Sequence, residues 1–146
     1  MSLVGWSLGG VLARGLAIDT PGAIRQVISL GSPFNEVGGR LRPLATPEPL
    51  PVPSTAVYTR SDGIVPWRTT VQRPGARAEN VEVRGSHCGL GVDRAALLAV
   101  ADRLAQRDGT WAPFQPPFAL RGWYPVPWPA SADQLRGEEQ EQAWTA

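Results

Sequence analysis

The chain has 146 residues, the length of one ordinary domain, and its 14 basic and 13 acidic residues leave a net charge of +1. This balance gives no electrostatic basis for binding nucleic acid or an acidic membrane surface. One Cys and one His exclude an internal disulfide and a His/Cys metal site. No apolar run reaches the about 20 residues of a membrane span, so we expect no membrane association. No signal peptide is visible, and we expect a cytoplasmic protein that needs no metal or cofactor.

The first predicted elements are a short strand and a helix. Residues 2 to 4 form an apolar run that ends at Gly5, and from Leu8 the apolar period becomes helical. The predicted buried face of this helix comprises Leu8, Val11, Leu12 and Leu16. Arg14 lies opposite, and we expect it to be solvated like most of the other arginines. Thr20-Pro21-Gly22 ends the helix.

Three more strands and a second helix follow. Gln26 to Leu30 is a buried strand, and residues 35 to 53 form an irregular Gly- and Pro-rich loop. Strands are predicted at Thr55 to Thr59 and at Asn80 to Val83. A helix is predicted from Asp93, its N-cap, to Arg107. The predicted buried face of this helix comprises Ala96, Leu97, Val100, Ala101 and Leu104. The alternation of strands and helices indicates an α/β fold with a mostly parallel sheet of four strands.

The composition changes after residue 107. Residues 111 to 129 are rich in Trp, Phe, Tyr and Pro, and the polar stretch from residue 131 to the end is expected to be flexible. The aromatic segment is predicted either to pack over the domain as an extended arm or to be a disordered tail. We therefore divide the chain into a domain at 1–107 and a C-terminal extension at 108–146.

Gly5-Trp6-Ser7-Leu8-Gly9 matches the pattern G-x-S-x-G at the junction between strand and helix. This pattern is typical of a nucleophilic Ser held on a strained turn, and glycines at both ends avoid collisions with the strand and the helix. The backbone N–H of Leu8, at the start of the helix, is the predicted oxyanion donor. Alone the pattern is a weak signal, but its position between strand and helix strengthens it.

A general base and its carboxylate partner are predicted from two other strand ends. His87, the single His, follows the fourth strand, and Asp62 follows the third. The carboxyl ends of parallel strands meet at one edge of a sheet, where sites gather. The rival acids lie in or beside helices and suit this role less well: Asp19, Asp93 and Asp102. Cys88 is interpreted as a small packing residue.

The order Ser7, Asp62, His87 resembles that of the α/β-hydrolases. The segments LVGWSLGG, VISLGSPF, SDGIVPW and VEVRGSHCGLG, within residues 2–107, resemble bacterial lipase- or esterase-like members in particular. The resemblance implies that Ser7 is the nucleophile, His87 the general base and Asp62 its orienting carboxylate, in a hydrolase whose small-molecule substrate is a carboxylic ester of short or long acyl chain. Trp6, Leu8 and Trp67 would line the acyl pocket, although packing in the core explains each equally well.

Members of that family carry further strands ahead of the nucleophile strand. The resemblance therefore implies a partial fold that lacks the N-terminal strands and the loop with the second oxyanion N–H. We expect a reading frame that begins upstream. Two alternatives stay open: the chain is an inactive fragment or a module that pairs its exposed sheet edge with a partner or a second copy, or it catalyses thioester cleavage, acyl transfer or perhydrolysis on the same fold.

Overall fold

A sheet of four parallel strands with a helix on each face forms the centre of the computed structural model, which describes residues 1–35 and 46–127. The strands are β1 (Ser2–Trp6), β2 (Gln26–Leu30), β3 (Ser54–Tyr58) and β4 (Ala78–Glu82), and their order in the sheet is β1-β2-β3-β4. The helices are α1 (Leu8–Asp19) and α2 (Arg94–Ala105). Short 3₁₀ helices lie at Pro21–Ala23, Trp67–Thr70, Cys88–Gly91 and Phe118–Trp123. The predicted α/β class and the parallel sheet are confirmed.

Alternating residues of β2 place the two helices on opposite faces of the sheet. Val27 packs in one cluster with Ala17 of α1, whereas Ile28 and Leu30 pack in another with Ala96 of α2. Successive side chains of a strand point to opposite faces, so a strand with five buried residues must be covered on both sides. The result is a three-layer arrangement in which the sheet is the shared core. No helix within the described ranges is long and apolar enough to cross a membrane.

The predicted buried faces of both helices are wrong in part. The leucines expected in the core are about half exposed: Leu8, Leu12, Leu16, Leu97 and Leu104. Ala101 is exposed as well. The residues that α1 and α2 bury are mostly Gly and Ala, together with Val11 and two arginines. Small side chains let each helix lie close to the sheet, so residue size rather than hydrophobicity alone decided which face turned inward.

Arg14 is buried, contrary to the prediction of a solvated side chain. Its guanidinium donates hydrogen bonds to Gln72 Oε1 at 2.8 Å and to the carbonyls of Thr46 and Glu48 at 3.1 and 3.0 Å. The guanidinium carbon also lies 3.8 Å from the ring centroid of Phe34. Burial lowers the pKa of Arg14 to about 10, so the group is still charged at neutral pH. Arg14 therefore ties α1 to the chain that leads into β3.

Part of the aromatic segment after α2 packs against the domain through Phe114 and Tyr124, whereas Phe118 and Val126 are exposed. The rings of Phe114 and Tyr124 meet edge to face at 4.9 Å, and Tyr124 donates a hydrogen bond to the carbonyl of Ala95 at 2.9 Å. Burial, Asp93 and Asp102 together raise the pKa of Tyr124. Residues 36–45 of the predicted loop, Trp128 and the polar stretch beyond it lie outside the described residues.

We expect Arg14→Lys to lower the free energy of unfolding by about 1–3 kcal/mol, because a single ammonium cannot reproduce the planar fork that reaches three acceptors. Urea unfolding followed by tryptophan fluorescence measures the change. The exposed Arg94→Lys is the matched control and should stay within about 0.5 kcal/mol of the wild type. Equal midpoints for Arg14→Lys and the wild type would contradict the role given to this side chain.

Candidate active site

The residues that follow the four strands come together at one edge of the sheet. Ser7 follows β1, Gly31 follows β2, Asp62 lies four residues beyond β3, and His87 lies five residues beyond β4. Because the strands are parallel, all four loops leave the sheet on the same side. This is the edge where sites occur in open parallel sheets.

Ser7 adopts a strained backbone conformation. Its φ of 52° and ψ of −125° make it the single non-glycine residue with positive φ in the described part of the chain. Such a conformation persists only where the surroundings hold it, and it is the geometry expected of a nucleophile on a sharp strand-to-helix turn. Here the Ser7 N–H donates to the Leu30 carbonyl at 2.8 Å, and the Gly10 N–H donates to the Ser7 carbonyl at 3.1 Å.

The glycines that this turn requires are Gly5 and Gly10, so the expected role of Gly9 is wrong. A Cβ on Gly5 would collide with the backbone of Gly10. A Cβ on Gly10 would collide with Ser32, whose Cβ lies at 2.8 Å, whereas one on Gly9 would meet nothing within 4 Å. Gly9, the second glycine of the motif, thus has open space around its Cα. Gly10 makes the close contact with the turn after β2.

Asp62 and His87 form a buried hydrogen-bonded pair. Asp62 Oδ2 lies 2.8 Å from His87 Nδ1, and each residue is 4% exposed. The other carboxylate oxygen, Oδ1, accepts from the N–H groups of Ile64 and Val65 at 3.1 and 2.6 Å. The His87 N–H donates to the Asp62 carbonyl at 2.9 Å. An ionised carboxylate only accepts hydrogen bonds, so this geometry assigns the proton to Nδ1 and leaves the lone pair on Nε2.

Gly31 lies directly against this pair and was missed by the sequence analysis. Its φ is +55°, and a Cβ there would lie 3.2 Å from both Asp62 Oδ2 and His87 Nδ1 and 2.8 Å from Leu90 Cδ1. The sequence pattern predicts that the strand ends at Leu30, but it does not show which residues pack against the turn that follows. Gly31 therefore leaves the space that the pair occupies.

The residues predicted to line a pocket occupy different places. Trp6 donates a hydrogen bond from Nε1 to the His87 carbonyl at 3.0 Å, and its ring centroid lies 5.5 Å from that of the imidazole. Leu8 is half exposed beside Ser7. Trp67 stacks on Tyr58 at 5.9 Å, with the Arg60 guanidinium near its ring. Trp6 and Leu8 thus flank Ser7, whereas Trp67 lies against the end of β3.

The structure brings Asp62 and His87 into contact but gives no hydrogen bond between Ser7 Oγ and His87 among the described residues.

The rival acids have other roles or positions. Asp93 caps α2 by accepting from the Ala96 N–H at 2.8 Å, Asp102 pairs with Arg103, and Asp19 is the last residue of α1.

Cys88 is exposed rather than packed, contrary to its interpretation as a packing residue. Within residues 1–35 and 46–127, no three His, Cys, Asp or Glu side chains are grouped to hold a metal ion.

Comparison with known proteins gives a likeness in fold. No family model and no curated protein matches the chain. Among solved structures, the mouse protein called alpha/beta hydrolase domain-containing protein 10 matches with a TM-score of 0.50 and 18% sequence identity. The match covers 70% of this chain and 60% of the mouse chain, so this chain spans less than two thirds of that structure. The four parallel strands and their helices therefore have an α/β-hydrolase type of fold.

We expect Gly9→Ala and Gly10→Ala to have opposite effects on the free energy of unfolding. Ala favours a helix, so Gly9→Ala should raise it by about 0.5–1 kcal/mol. Gly10→Ala should lower it by roughly 1–3 kcal/mol or more, because the new methyl group must displace Ser32. Denaturant unfolding of the two variants, which differ by one position, measures both changes. A loss of stability in Gly9→Ala as large as that in Gly10→Ala would contradict the assignment.

Proposed function

We propose that the chain contains the catalytic residues of a serine hydrolase that cleaves carboxylic esters, of the bacterial lipase or esterase kind. Ser7 is the nucleophile, His87 the general base and Asp62 the carboxylate that orients the imidazole. The observation that carries this proposal is the buried Asp62–His87 hydrogen bond of 2.8 Å at the sheet edge where Ser7 is held with a φ of 52°. The α/β-hydrolase type of fold is compatible with this chemistry, but fold alone does not set the reaction.

The proposed reaction has two halves. The Ser7 hydroxyl attacks the ester carbonyl while His87 Nε2 takes its proton, and the alkoxide then leaves with that proton as an alcohol. Water, deprotonated by the same nitrogen, attacks the acyl-Ser7 ester; the bond to Ser7 Oγ breaks, Oγ takes that proton back from Nε2, and the carboxylic acid is released. Asp62 holds the proton on Nδ1 throughout and stabilises the transient imidazolium. The N–H of Leu8 is free of an intrahelical partner at the start of α1 and donates to the oxyanion.

The surroundings of Ser7 favour an apolar acyl group over a charged substrate. Leu8 presents half-exposed apolar surface directly beside the nucleophile. Thioesters and acyl transfer use the same nucleophile, base and oxyanion donor, so geometry does not separate them from oxygen esters. A panel of p-nitrophenyl esters and acyl thioesters at matched chain length separates these substrates.

We expect a fluorescent fluorophosphonate to label the wild-type chain and to leave Ser7→Ala unlabelled. Asp62→Asn should be labelled about 10³- to 10⁴-fold more slowly, because an amide favours the wrong tautomer of His87. Ser61→Ala is the matched control, since this exposed serine lies next to Asp62. In-gel fluorescence against time gives the rates. A folded wild type that is not labelled, or labelling that survives in Ser7→Ala, would refute the proposal.

A second candidate function is self-association, which the free edge of β1 favours. β1 pairs with β2 alone in the described sheet, and Val4 on this strand is half exposed. Half-exposed leucines of α1 and α2 lie in the layers on the two sides of the sheet: Leu8, Leu12, Leu16, Leu97 and Leu104. An edge strand without charged side chains is prone to pair with another. We propose that a second copy of this chain binds at the free edge of β1. Two β1 strands related by a twofold axis pair antiparallel, and this pairing brings the same helices of both copies together.

If this pairing occurs, the wild type should be a dimer at tens of micromolar, and Leu12→Glu should be a monomer, because it places a carboxylate in the apolar contact. Light scattering after size-exclusion chromatography measures the mass. Val126→Glu, at an exposed apolar residue of the C-terminal segment, is the control and should stay dimeric. A monomeric wild type would refute self-association.

A further inference from the structure

Trp6 is the residue that connects the base to the strand of the nucleophile. The contacts of His87 with Asp62, through Nδ1 and through the backbone N–H, fix it to the loop after β3. Ser7 belongs to a different element, the turn between β1 and α1. Among the described residues, the hydrogen bond from Trp6 Nε1 to the His87 carbonyl is the one that joins β1 to His87, and it measures 3.0 Å. Trp6 and Ser7 are adjacent, so this bond links the loop of the base to the residue next to the nucleophile.

We propose that Trp6 is a positioning residue that holds the imidazole of His87 in register with Ser7, by this hydrogen bond and by contact between the two rings. The proposal rests on the proposed function and deepens it.

The ring contact acts on the imidazole itself. The centroids lie 5.5 Å apart with the planes tilted by 37°, which is within the range of aromatic pairs. The indole N–H is a donor only, and the His87 carbonyl occupies it, so it does not compete with Asp62 for a ring nitrogen. Trp6 thus restrains His87 at two points, its backbone carbonyl and its ring.

A residue that positions the base and a residue of the pocket wall affect different kinetic constants when they are replaced. Trp6 is 46% exposed, so part of its ring is accessible beside Ser7. A wall that contacts the acyl group would change KM when it is removed. A residue that positions the base changes kcat and the rate of fluorophosphonate labelling, while KM stays nearly constant.

The single His of the chain allows a direct test by NMR on protein without a histidine tag. Trp6→Phe keeps a ring and removes the donor, and Trp6→Leu removes both. An aromatic ring shifts the resonances of neighbouring protons, so the imidazole C–H signals of His87 should move in Trp6→Leu and move less in Trp6→Phe. Trp123→Phe, at another partly exposed indole, is the control and should leave these signals unchanged.

The kinetic part uses fluorophosphonate labelling and a p-nitrophenyl ester on the same proteins. We expect the labelling rate and kcat to fall by about threefold to tenfold in Trp6→Phe and by about tenfold to a hundredfold in Trp6→Leu, because a misplaced general base loses part of its contribution to the rate. KM should stay within about twofold of the wild-type value. Trp123→Phe should match the wild type.

Three outcomes would overturn the proposal: His87 signals in Trp6→Leu that match the wild type, kcat in Trp6→Leu that matches the wild type, or a change confined to KM. A wild type that is not labelled would refute the proposed serine chemistry. The NMR comparison would still separate the two failures, because unchanged His87 signals overturn the Trp6 contact and shifted signals support it.

Discussion

Parallel pairing of the four strands is the constraint on which the rest of this structure depends. It sends the loops after β1, β2, β3 and β4 to one edge, and each loop contributes one part of the candidate site. The ladder between β1 and β2 runs on past the strands, since the Ser7 N–H donates to the Leu30 carbonyl. The hydrogen bond that continues the pairing of β1 with β2 therefore holds the strained turn. If β1 shifted by one residue against β2, Ser7 and Trp6 would move together.

The sequence was sufficient to predict features that depend on local patterns. The parallel sheet, the start of α1 at Leu8 and the cap at Asp93 all follow from periodicity and from residues that begin or end elements. The prediction that Asp62 and His87 lie at the same sheet edge needed only the parallel direction of the strands. Their contact agrees with that expectation, while the roles of both residues stay proposals.

Features that depend on which atoms meet across the fold could not be predicted in this way. The periodicity of the leucines in α1 and α2 indicated buried faces, but close packing on the sheet favoured Gly and Ala, and the leucines stayed half exposed. Arg14 was expected in solvent because no local signal shows the carbonyls of Thr46 and Glu48 beside it. The indole of Trp6 likewise meets the carbonyl of a residue 81 positions along the chain.

Gly31 sets a limit on how such a chain can vary. The position carries no functional group, yet a single added methyl group would occupy space against both members of the Asp62–His87 pair. A larger residue could therefore replace Gly31 only after the loops that follow β3 and β4 had moved. Position 9, inside the motif that defines the turn, has no such neighbour. In this fold, whether a glycine can be replaced depends on the space around its Cα. The G-x-S-x-G pattern does not by itself show which positions have that space.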